Sequence, residues 1–146
     1  MKTTKLTLAI ALTAAFGFAA YADDTNSSAP AAPTTPTLPP ASTKTGVTFD
    51  TDIKPIFMAS CMPCHSSTGP RKPRGGIALD TLDGAVKGGK DGPILKVGDS
   101  AHSDVVMSVA HIGDDPDGFM PKGKNAKQLT PDQIGLIRAW IDQGAK

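Results

Sequence analysis

From residue 47 onward, apolar positions recur at helical spacing between long polar stretches. In FDTDIKPIFMASC, residues 49–61, Ile53, Ile56 and Phe57 fall at i, i+3 and i+4 and share one helix face. Asp50, Thr51 and Asp52 are candidate N-caps, and Pro55 suits a first turn, where its missing N–H costs nothing. SDVVMSVAHI reads as a helix capped by Ser103. The last helix carries the clearest signal. Thr130-Pro131-Asp132-Gln133 spells a capping box with proline at the first helical position. Ile134, Ile137 and Ile141 then form one stripe, with Leu136 and Trp140 beside it, and Gly144 ends the helix. Residues 66–100 and 113–128 are punctuated by Gly and Pro and read as loops, apart from a short helix over Asp80–Val86. No segment alternates convincingly as a strand. The predicted fold class is all-α, a small helical domain with long loops.

The residues before 47 follow no such period. Residues 6–20 form an unbroken apolar run behind the basic segment 1–5, and Ala20-Tyr21-Ala22 precedes Asp23. That three-part pattern predicts a cleaved secretory signal peptide over 1–22. The run is shorter than the roughly 20 apolar residues of a membrane span, and no cysteine near the cleavage site offers a lipid anchor. Residues 23–46 are rich in Pro, Ala and Thr and nearly lack large apolar side chains. They cannot bury enough surface to offset their ordering entropy and are expected to form a disordered tether. The domain is then 47–146, enough for one small core of the kind that often relies on a metal, disulfide or cofactor.

Charge narrows the partners only by exclusion. Cleavage removes Lys2 and Lys5, leaving 13 of the 15 Lys and Arg against 14 Asp and Glu. No broad basic surface is available for nucleic acid. The mature chain is expected to be an exported or periplasmic monomer without an integral membrane segment.

The chemistry concentrates in CMPCH, residues 61–65, which holds both cysteines of the chain. A structural zinc site needs four ligands, and here no second pair exists and His65 directly adjoins Cys64. A redox CxxC is expected beside a βαβ pattern, which is missing. The remaining chemistry is covalent haem c. Cys61 and Cys64 would add to the two porphyrin vinyl groups, and His65 would place its imidazole under the iron. Export agrees with this, because haem c is attached outside the cytoplasm.

The iron then needs a sixth ligand from a segment distant in sequence. Met120, in the loop DGFMPKG with Pro121 behind it, is the candidate. His102 and His111 are rivals that read better as surface histidines. Met58, Met62 and Met107 read as packing residues. The metal ligands expected are therefore His65 and Met120. GAVKGGKD, residues 84–91, imitates a phosphate loop but carries Asp91 where Ser or Thr must bind magnesium. Trp140 reads as core packing.

FDTDIKPIF, CMPCH, RGGIALDTLDGAVKGGKDGPILKVGDSAHSDVV, FMPKG and LTPDQIGLIRAWIDQGA occur in that order over residues 47–145. This series resembles the planctomycete-type cytochrome c domain of the class I cytochrome c superfamily. Lys122 stands where that family usually has a second proline. The resemblance implies a small helical fold around one covalent haem c, with terminal helices packed together and the haem edge exposed. It also makes residues 84–91 a loop wrapping the haem pocket. Ile77 and Leu79 are expected to line that pocket. Arg71, Lys72 and Arg74 form a basic cluster that is either solvated, paired with haem propionates or used in docking.

His/Met ligation fills both axial positions, which suits single-electron transfer between redox protein partners rather than substrate turnover. The alternative is a peroxidase-like haem enzyme or small-ligand sensor from which Met120 dissociates, with His102 or His111 as the acid–base group.

Overall fold

The computed structural model describes residues 37–62 and 64–146. The signal peptide expected over 1–22 and tether residues 23–36 lie outside the described residues. Four α-helices organise the domain: α1 (Lys54–Ser60), α2 (Leu82–Lys87), α3 (Asp104–Ala110) and α4 (Pro131–Asp142). Among the described residues there is no strand, only an isolated antiparallel bridge between Gly89 and Gly92. The fold is all-α.

The helix expected from the Asp50–Asp52 caps begins earlier. Phe49–Ile53 forms a π-helical turn that runs straight into α1. None of the three candidates caps α1. Asp52 instead accepts the Thr48 N–H at 3.0 Å and pairs with Lys44. The expected face is nonetheless the buried one: Ile53, Ile56 and Phe57 all lie in the core.

That face meets α4. Trp140 is fully buried, with ring centroids 5.7 Å from Phe49 and 6.5 Å from Phe57. Its indole N–H donates to the Lys146 carbonyl at 3.0 Å, so its one polar atom is satisfied. The same carbonyl accepts the Phe49 N–H at 2.9 Å. Ile134, Ile137 and Ile141 complete this cluster. The capping box is formed in full: Gln133 N–H donates to Thr130 Oγ1 at 3.2 Å, and Thr130 N–H to Gln133 Oε1 at 2.9 Å.

The domain starts earlier than residue 47. Residues 38–46, expected within the disordered tether, lie along α4. Arg138 donates to the Pro39 carbonyl. Ser42 N–H donates to the Gly135 carbonyl at 2.9 Å, and Gln143 Nε2 to the Lys44 carbonyl at 2.8 Å. A Cβ on Gly135 would stand 2.6 Å from the Pro40 oxygen, so a side chain there would displace the strap. A proline-rich segment cannot build a core, but its carbonyls can accept bonds from one already formed.

Ser103 sits at the N-cap of α3 as expected, yet its hydroxyl does not cap. It accepts the Lys96 N–H at 2.8 Å and donates to the Asp99 carbonyl at 2.9 Å. This ties the preceding loop to the helix start. α2 covers 82–87, close to the short helix expected, with Thr81 as its cap. No described helix is long and apolar enough to cross a membrane.

Candidate haem-binding site

Both cysteines and the histidine arise from the end of α1. Cys61 caps α1, its N–H donating to Phe57 O at 2.8 Å. The chain then curls, with Cys64 N–H and His65 N–H both donating to Cys61 O at 3.2 Å. One turn therefore carries both thiols and the imidazole. The thiols are free of one another. Cys61 is half-buried, and burial pushes its thiol up to about 11. It is a neutral thiol in an apolar setting, unlike a redox thiolate.

The turn opens on a cavity of about 750 Å³. Cys61, Cys64 and His65 line one side of the sequence, and Met107, Phe119 and Met120 come from α3 and the loop beyond it. Ile77, Leu79, Ile94, Val105 and Val109 supply apolar surface. The expected residues Cys61, Cys64, His65, Met120, Ile77 and Leu79 are thus brought to one space. His102 and His111 do not line it. His102 is exposed and bonded to Asp99 at 2.7 Å.

His65 is oriented from behind. Its Nδ1 lies 3.3 Å from the Ile77 carbonyl, which can only accept, so Nδ1 is the donor and, in the neutral ring, Nε2 is the nitrogen with the lone pair. The residues present therefore fit a haem: thiols for two thioethers, an imidazole in the ligating tautomer and apolar walls. Among the described residues no three His, Cys, Asp or Glu side chains converge as a metal-ligand group.

Met120 is held by the end of α3. Its N–H donates to Ser108 O at 3.1 Å, and His111 Nε2 donates to its carbonyl at 3.0 Å. His111 closes α3 in the left-handed region (φ 55°) and stacks on Phe119 at 5.1 Å. The rival histidine is thus a clasp on the methionine loop.

Three expectations change. Met58, read as packing, is 55% exposed. Met62 packs against the core and Met107 is half-buried, and both also line the cavity. Residues 84–91 do not wrap it. They form the end of α2 and a turn laid against residues 75–77, with Lys90 N–H donating to Gly75 O at 2.8 Å. A Cβ on Gly89 would stand 2.5 Å from that oxygen, which gives the glycine pair a packing reason. Of the basic cluster, Arg74 lines the cavity while Arg71 and Lys72 are exposed away from it.

A turn bearing two thiols and an imidazole over an apolar cavity has the parts that covalent haem attachment needs. Residues 61–123 match the family described as planctomycete cytochrome C, the family that the sequence resembles. The match supports a c-type cytochrome with haem c as its group, and it leaves the whole of α1 and α4 outside its bounds. No curated protein and no solved structure matches the chain.

Proposed function

We propose that this protein is an exported monohaem electron carrier. Cys61 and Cys64 would hold one haem c by thioether bonds, and His65 and Met120 would supply the ligands to its iron. The observation behind this reading is that these four side chains line one otherwise largely apolar cavity. The chemistry that haem c would supply there is the uptake and release of single electrons. The chain's own residues do the rest. Ile77 O holds the His65 ring, Ser108 and His111 hold the Met120 backbone, and the apolar walls keep water from the site. A soft thioether ligand from Met120 would favour the reduced iron. The cavity mouth carries Arg74, Lys122 and Lys127 beside Asp104, Asp114 and Asp115, so redox partners would meet charge of both signs. The enzyme reading would need a distal acid–base residue other than His102 and His111, since neither histidine lines the cavity.

Export follows from the signal peptide over 1–22, with cleavage before Asp23. The test is the intact mass of protein made with an export and haem-attachment pathway. The processed chain plus one haem is expected, with the haem retained in acid–acetone. Extractable haem would refute covalent attachment.

A further inference from the structure

A buried carboxylate is costly unless donors surround it. Asp80 is 9% exposed, and none of its side-chain partners is a cation. Ser67 N–H donates to its two oxygens at 3.0 and 2.9 Å, and Ser67 Oγ donates at 2.8 Å. Ser66 Oγ donates at 3.0 Å, Thr68 N–H at 3.3 Å and Thr68 Oγ1 at 3.4 Å. The Ser67 backbone N–H, with the hydroxyls of Ser67 and Ser66, holds the carboxyl well below the usual carboxylate range against the opposing effect of burial.

All these side-chain donors belong to the three residues that directly follow His65. The bonds continue a lacing between two segments. Arg74 N–H donates to Cys64 O at 2.9 Å, His65 Nδ1 faces Ile77 O, and Leu79 N–H donates to His65 O at 2.8 Å. The Asp80 cluster ends the series. The His65–Ile77 bond, at 3.3 Å, is longer than the two backbone bonds that flank it, so it has the least slack to lose if the segments slip.

We infer that Asp80 is a positioning residue for the His65 imidazole. By fixing residues 66–68 it keeps His65 in register with Ile77, and so keeps the ring proton on Nδ1 and the Nε2 lone pair free. The group that orients a ligating histidine also sets its basicity. This inference rests on the haem reading above.

Asp80→Asn and Ser67→Ala are tested as holoproteins. Nitrogen-resolved NMR of the reduced, diamagnetic state follows exchange of the His65 Nδ1 proton with solvent. Asp80→Asn should speed that exchange by about tenfold, the effect of losing roughly one charged hydrogen bond. Ser67→Ala keeps the charge, and should move exchange the same way by less. A purely structural Asp80 would lower the unfolding midpoint in both variants and leave exchange unchanged, which overturns the inference. If Asp80→Asn does not fold, Ser67→Ala alone decides by the same reading. Wild-type protein without covalent haem is seen first, from the mass, and sinks the function reading and this inference together. Wild-type holoprotein with unaltered exchange in the variants sinks this inference alone.

Discussion

The two sides of the cavity are held in different ways. On the His65 side, a buried carboxylate and successive backbone bonds lace residues 64–68 to residues 74–80. On the Met120 side, the loop hangs from the end of α3 by Ser108 and by an exposed histidine. Beyond Met120, residues 122–125 are all exposed. Exposed bonds compete with water and open more easily than buried ones. The two proposed ligands should therefore differ in lability, with His65 the fixed one and Met120 the one that exchanges.

The largest effect should come from removing the fixed side. Cys61→Ala/Cys64→Ala should abolish covalent haem, read as the bare processed mass. The single changes should leave at most one thioether.

Met120→Ala is next. It should erase the far-red methionine-to-ferric-iron band, open the iron to cyanide and lower the reduction potential. Met58→Leu, Met62→Leu and Met107→Leu should retain the band. Met107 is the critical control, because it shares the cavity. Loss of the band in Met107→Leu together with its survival in Met120→Ala would move the distal ligand onto α3.

Gly135→Ala separates stability from ligation. Propensity alone favours alanine in a helix by up to about 1 kcal/mol. The Pro40 oxygen in the way should reverse the sign and cost about 1–3 kcal/mol of overpacking. The denaturation midpoint should fall while cyanide binding to the ferric protein stays at the wild-type rate.

His111→Ala should do the opposite. Loss of its bond to Met120 O costs about 1 kcal/mol, and ferric protein should bind cyanide several-fold faster with a small change in midpoint. An unchanged rate would mean that Ser108 alone holds the loop.

The smallest effect lies far from both sides. Lys96 and His102 lower the Asp99 carboxyl from 3.8 to about 2. A depressed folded-state value stabilises above the unfolded one and is lost as pH falls. Asp99→Asn should therefore lower the midpoint slightly at pH 5. The gap to wild type should close as pH falls from 3.8 through about 2, and salt should shrink it because the pairs are exposed.

What could be read from the sequence was local. The α4 capping box and its isoleucine stripe lie within one helix and formed as expected. The cysteines, His65, Ile77, Leu79 and Met120 could be nominated because their chemistry or neighbours mark them. Asp80 could not, since its donors lie 12 to 14 residues away and the two segments meet only in the fold. The run Ser66-Ser67-Thr68 behind the histidine was the available hint, as a cluster of donors in want of an acceptor. Ser103 shows the same limit. Its cap position is local, but its hydroxyl answers to Lys96 and Asp99. Gly135 also left a trace, as a glycine inside a strong helical pattern. Its partner, Pro40, lay in a segment whose composition suggested no structure.

The strap over α4 also decides how the protein can be mounted. Neither α4 nor residues 38–46 contribute a side chain to the cavity lining. Leu38 and the residues after it enter the domain on surface that does not line the cavity. A surface linker or affinity handle attached at that end would therefore require no change to any residue that lines the cavity. An electrode wired through that end would exchange electrons with the protein only as fast as the mouth can turn toward it. The same molecule wired through Lys122 or Lys127, at the rim, would have its donor already in place.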